Sequence, residues 1–97
     1  MKIEFLEAAQ AELDEAFNWY EAQQLNLGFE FLTEFDNAIR RIVAYPKSYA
    51  LLGSDIRRCL IKRFPYGVWY GIDAETIVIV AVAHLHRKPN YWTKRLA

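Results

Sequence analysis

A chain of 97 residues with 54% hydrophobic and 15% aromatic content has room for one domain, expected over 1–97, and too much apolar material for disorder. Its zero formal charge argues against strong non-specific nucleic-acid binding, which draws on a clear cationic excess. One cysteine, Cys59, excludes a disulfide framework; the most apolar run, Ile77 to Ala83, is too short to cross a bilayer, and no charged-then-apolar leader opens the chain, so a soluble cytoplasmic protein is expected.

Ile3 and Phe5 alternate with polar residues and predict a short first strand. From Glu7 the period changes. Leu6, Ala9, Leu13, Ala16, Phe17 and Tyr20 recur at helical spacing, predicting an amphipathic helix over 7–23 with Glu12, Asp14, Glu15 and Glu21 off the apolar stripe. After QQLNLG a second stripe runs through Phe31, Phe35, Ala38, Ile42 and Val43 until Pro46, which cannot donate a backbone bond and keeps its neighbour out of the helix. The short connection predicts an antiparallel αα-hairpin.

YPKSYALLGSD reads as a loop. IRRCLIKRF, FPYGVWYGID and ETIVIVAVAHLH then predict a three-stranded antiparallel meander, with Asp73, Ala74 and Glu75 as one hairpin turn and a short C-terminal tail. The order β-α-α-β-β-β gives an α+β fold with the hairpin on one face of a mainly antiparallel sheet. Strand alternation groups Tyr66, Val68, Tyr70 and Ile72 toward the helices and leaves Gly67, Trp69 and Gly71 on the other face, a floor that invites an occupant. In IRRCLIKRF, Arg57 and Arg63 share a face with Cys59 and Ile61, and Arg58 and Lys62 share one with Ile56, Leu60 and Phe64; alternation alone does not say which set points outward.

Charge is unevenly placed. Residues 1–36 hold one cation, Lys2, against nine carboxylates, whereas residues 37–97 hold eleven cations against Asp55, Asp73 and Glu75. Two readings stand side by side: a basic surface for phosphates or an acidic partner, or helices favouring Glu and strands using cations for solubility.

The segment HLHRKPNYW, His84 to Trp92, concentrates titratable and aromatic groups at the end of the last strand. His84 and His86 are spaced to emerge together, but zinc needs a third ligand that the sequence does not nominate, so no metal site is assigned. An RNA-cleaving site would need a proton carrier (His84, His86 or Tyr91) and a phosphate holder (Arg87). The alternative is imidazoles ending a strand while Tyr91 and Trp92 fold back on the core. No nucleotide-binding glycine loop, serine-nucleophile motif or Cys-x-x-Cys pair is present.

These residues, taken together, resemble the RelE/ParE superfamily of bacterial type II toxins. The motifs are A-x-x-E-L-x-E-A-x-x-W-Y-E (Ala9 to Glu21), Leu27-Gly28, Tyr45-Pro46, I-R-R-x-L (Ile56 to Leu60), F-P-Y-x-V-x-Y (Phe64 to Tyr70) and A-x-x-H-x-x-R-x-P-x-Y-W (Ala81 to Trp92), in order over nearly the whole chain. The resemblance implies a toxin neutralised by a cognate antitoxin, without cofactor or membrane partner. Its target is DNA gyrase in ParE-like members and messenger RNA in the ribosome in RelE-like members. By position, the resemblance makes Arg58, Arg87 and Tyr91 the catalytic set of an RNA-cleaving member, to which the reading of the residues themselves adds His84 as a candidate proton carrier. Arg57, Lys62, Arg63, Trp69, Lys94 and Arg95 become contacts for target or antitoxin. Two departures count against cleavage: Leu60 and Gly67 stand where RNA-cleaving members carry cations. The FPYGVWY and WYE patterns are closer to the ParE, or plasmid-stabilisation, branch. A third possibility is a degenerate toxin that only binds antitoxin, and self-association through Trp19 or Phe29 is left open.

Overall fold

The computed structural model describes residues 1–53 and 55–96. The elements are β1 (Lys2–Phe5), α1 (Glu7–Gln23), α2 (Leu27–Ala44), β2 (Ala50–Leu52), β3 (Ile56–Leu60), β4 (Tyr66–Asp73), β5 (Thr76–His84) and a closing 3-10 turn (Thr93–Leu96). The sheet order is β1-β5-β4-β3-β2, with β1 parallel to β5 and every other pair antiparallel.

The helical pair forms as its apolar spacing predicts. Ala9, Leu13 and Ala16 of α1 and Phe31, Phe35, Ala38 and Ile42 of α2 are buried. The hairpin tip has its own device. Asn26 takes a left-handed conformation (φ 71°), and the Glu21 carboxylate accepts the N–H groups of Asn26 (2.9 Å) and Gly28 (3.0 Å). An acid at the end of α1 thus satisfies two donors at the start of α2, whose dipole favours a negative charge there. Gly28 lets α2 lie close against α1: a Cβ on it would be 2.7 Å from the Phe17 carbonyl oxygen. Beneath the hairpin, Phe31 stacks on Tyr20 at 5.2 Å and meets Phe64 and Tyr66 edge-on, each at 5.2 Å.

Three expectations need correction. The segment read as a loop contains β2, which extends the meander to four strands. Only three residues pair, a stretch too short for period-two alternation to show. IRRCLIKRF is not one strand. It ends at Leu60, and residues 61–66 close a turn through Ile61 N–H to Tyr66 C=O (2.9 Å), with Arg63 at φ 72°. The third concerns the face opposite the helices. Trp69 does point there, but only 7% of it is exposed, because the C-terminal segment lies across it. Trp92, 4% exposed, completes a second apolar cluster with Ile56, Trp69, Val80, Ala81 and Ala83.

The β4–β5 pairing carries an irregularity between Trp69 and Tyr70: Trp69 faces Ala81 while Tyr70 faces Ile79, leaving Val80 as the extra residue. Such a bulge turns a carbonyl out of the ladder. The Val80 carbonyl finds a substitute in the Arg95 guanidinium at 3.0 Å.

Candidate functional site

Alternation in β3 resolves once packing is known. Cys59 belongs to the core under the helices and Ile56 to the cluster under the C-terminal segment. Arg57 therefore lies on the helix side of the sheet, and Arg58 and Leu60 on the other. Arg57 is a staple: its guanidinium donates to the carbonyls of Lys47 (3.0 Å) and Tyr49 (2.9 Å), holding the turn that leads into β2. Tyr70 fixes the same turn from below through its hydroxyl to the Pro46 carbonyl. Burial pushes the Tyr70 phenol up to about 12, so it stays a donor.

Most other arginines are also committed. Arg63 reaches Glu30 at 2.8 Å across to α2, Arg41 donates to the Leu60 carbonyl at 2.9 Å, and Arg40 pairs with Asp36 at 2.9 Å. The remainder behave differently. Among the described residues, Lys47, Arg58, Lys62, Lys88 and Lys94 have no carboxylate within salt-bridge reach, and Arg87 has one only at 4.0 Å.

Three of these uncommitted cations converge. Arg58, Arg87 and Lys88 line a cavity of about 370 Å³ whose other walls include Trp69, Tyr91 and Trp92. No described carboxylate lines it. Gly67 shapes the floor. A Cβ there would sit 3.3 Å from both Cγ and Cδ of Arg58 and 3.2 Å from the Trp69 ring, so the space above Gly67 already holds the Arg58 stem. The Arg58 guanidinium then lies 5.9 Å from the Trp69 ring centroid and that of Arg87 4.2 Å from the Tyr91 ring, contacts worth about 0.5–1 kcal/mol each. Leu60, half exposed, lies beside Arg58 and Lys62 in an adjoining hollow of about 560 Å³.

Of the residues singled out from sequence, the fold brings Arg58, Arg87, Tyr91 and Trp69 together. His84 lies elsewhere, in a hollow of about 320 Å³ with Glu12, Glu15, Trp19 and Tyr66, and shares only Arg87 with the cationic cavity. Its Nδ1 accepts the His86 backbone N–H at 3.1 Å. Among the described residues, no three His, Cys, Asp or Glu side chains gather as a metal site would require. Lys62 and Lys94 are exposed, and Arg63 is turned toward α2.

Glu12 is the residue that sequence reasoning misplaced. Expected on the solvated side of α1, it has only 12% of its side chain exposed. It accepts the Val82 N–H at 3.1 Å, the Tyr91 hydroxyl at 2.6 Å and both terminal nitrogens of Arg95 at 2.7 and 3.0 Å. Burial raises its pKa, but the hydrogen bonds from Arg95, Tyr91 and Val82 outweigh that and hold the carboxyl below its ordinary value. Tyr91 moves the opposite way: burial first, then the Glu12 carboxylate, push its phenol well above an ordinary tyrosine. A phenol so held keeps its proton and is a poor acid toward a substrate. The partners are 70 to 83 positions apart, so nothing local in the sequence could have paired them.

The family model described as the ParE toxin of type II toxin-antitoxin system, parDE, matches residues 3–89. Among solved structures, a chain of the chromosomal ParDE TA system from P. aeruginosa superposes with a TM-score of 0.72 at 15% identity, covering 87% of this chain and 95% of that one. At that identity the likeness is one of fold. No curated protein sequence matches the chain.

Proposed function

Because the chain belongs to the ParE toxin family of type II toxin-antitoxin systems, we propose that it arrests growth by binding DNA gyrase and is held inactive by a cognate antitoxin. It acts in this reading as a single domain in the cytoplasm; no helix among the described residues is long and apolar enough to cross a membrane. The observation that carries the gyrase reading is the cavity of uncommitted cations, Arg58, Arg87 and Lys88, free of carboxylates among the described residues. Exposed or half-exposed cations without a close carboxylate favour an anionic surface and steer its approach. The adjoining hollow with Lys62 and the half-exposed Leu60 extends this surface toward β2, and an acidic amphipathic antitoxin segment that folds on binding fits it. The similar solved chain comes from a toxin-antitoxin system.

Messenger-RNA cleavage is the second reading, supported by Arg58 and Arg87 lining one cavity with Tyr91. Three features weigh against it. Gly67 offers no guanidinium, Tyr91 is committed to Glu12, and His84 lies in the neighbouring hollow. The deciding experiment adds the purified chain at micromolar concentration to gyrase and relaxed plasmid. Loss of supercoiling supports gyrase binding, and undisturbed supercoiling removes it. Primer extension on messages from induced cells tests the alternative: new cuts within reading frames would establish it and intact messages would end it.

A further inference from the structure

The cationic cavity has two kinds of wall. Arg58 and Trp69 come from neighbouring strands of the sheet, whose ladder holds them. Arg87, Lys88 and Tyr91 come from the segment after β5, which adds no strand and ends in a single 3-10 turn. Four backbone bonds brace it internally, Arg87 N–H to His84 C=O, Tyr91 N–H to Lys88 C=O at 3.4 Å, Thr93 N–H to Asn90 C=O and Arg95 N–H to Trp92 C=O, and only Leu85 N–H, at its start, reaches a backbone carbonyl outside it, that of Pro65. Such short turns do not order a chain end by themselves. Something else must fix half of the cavity.

We infer that Glu12 is the positioning residue of the cationic cavity: from α1 it clamps the C-terminal segment across the sheet and so holds Arg87, Lys88 and Tyr91 in place as the cavity wall. The inference rests on the reading of that cavity as the target-binding surface. One Glu12 oxygen takes the Val82 N–H of β5 and Arg95; the other takes the Tyr91 hydroxyl and the second Arg95 nitrogen. The carboxylate therefore bridges the sheet and the segment at two points four residues apart. Arg95 completes the clamp by donating to the Val80 carbonyl freed by the bulge, and its guanidinium stands 5.0 Å from the Tyr91 ring centroid. Arg87 stands over the same ring at 4.2 Å, so the phenol that Glu12 orients supports the guanidinium on the cavity side. Glu12 does not itself line the cavity. Trp92 adds burial between the two anchors, which gives the segment affinity for the sheet, while the carboxylate sets where it lies.

The test uses the full-length chain with Glu12→Gln, Arg95→Gln, the double variant and, as the mildest change, Tyr91→Phe. Hydrogen exchange read by mass spectrometry should rise on the order of tenfold or more in peptides covering 85–96 of Glu12→Gln, with α2 and β4 still protected. The double variant should exchange little faster than Arg95→Gln, because both substitutions break one unit. A signature specific to the clamp comes from tyrosine ring-carbon NMR: Tyr91 should ionise at lower pH in Glu12→Gln than in the wild type. Gyrase binding by Glu12→Gln should weaken about tenfold although Arg58, Arg87 and Lys88 are all present. If Glu12→Gln does not fold, a smaller rise confined to 85–96 in Tyr91→Phe supports the clamp. Unchanged exchange in 85–96, a rise spread evenly over the chain, or an unmoved Tyr91 titration overturns it. A wild-type chain without effect on gyrase would sink the target reading alone, because exchange and titration decide the clamp independently.

Discussion

Replacing Trp92 by alanine should undock the C-terminal segment while leaving the helical layer folded. The indole is 4% exposed, packed with Ile56, Trp69, Val80, Ala81 and Ala83. A buried tryptophan removes about 150–250 Å² from water, which at about 25 cal/mol per Å² gives an upper bound of roughly 4–6 kcal/mol. The realised loss is smaller, because the segment can lift away and water can fill the site instead of leaving a rigid void. About 3 kcal/mol is therefore expected, equivalent in a domain of this size to a fall in Tm of roughly 12–24 °C. Urea unfolding followed by far-UV circular dichroism measures the loss, and a hydrophobic dye should report newly exposed Trp69 and Val80. A destabilisation under about 0.5 kcal/mol without dye binding would refute the claim that this residue covers the second face of the sheet.

Gly28→Ala should destabilise by about 1–3 kcal/mol despite the better helix propensity of alanine, since the new Cβ would stand 2.7 Å from the Phe17 carbonyl oxygen; thermal melting checks the sign. Acid should weaken the fold through Glu12. Its folded pKa lies below the reference value of 4.5, so its contribution is complete above that pH and is lost as the pH falls through the folded value. Urea midpoints from pH 6 to pH 3 should then drop less steeply for Glu12→Gln than for the wild type. Tyr91→Phe should weaken growth arrest on induction without abolishing it, because only the hydroxyl's bond to Glu12 at 2.6 Å is lost; message cuts made by the wild type that vanish in this variant would favour RNA cleavage instead.

The helical hairpin was legible because both stripes keep the 3.6-residue period and Pro46 marks the end of the second. β4 was legible from its alternation, β5 from its continuous apolar run, and their pairing from the turn at 73–75. β2 was not, for three residues carry no period. Sequence also found the cations but could not sort them. Arg57 and Arg58 are neighbours with the same side chain, yet one staples a turn from the helix side while the other faces the cavity. That division depends on which face of β3 is buried, and a strand with cations in both sets gives no clue. Trp69 misled in a different way. Its direction was right, but its cover, Trp92, lies 23 positions later in a segment without periodicity. Glu12 looked like any surface acid of an amphipathic helix, because its partners are set by tertiary contact alone.

If inhibition depends on the uncommitted cations and not on the committed ones, gyrase supercoiling in the presence of charge variants should separate the two sets. Arg58→Ala and Lys88→Ala, combined, should abolish inhibition, while Arg40→Ala, which breaks only an exposed pair with Asp36, should inhibit like the wild type. Equal inhibition by both variants would contradict the assignment of this cavity as the surface through which the toxin acts.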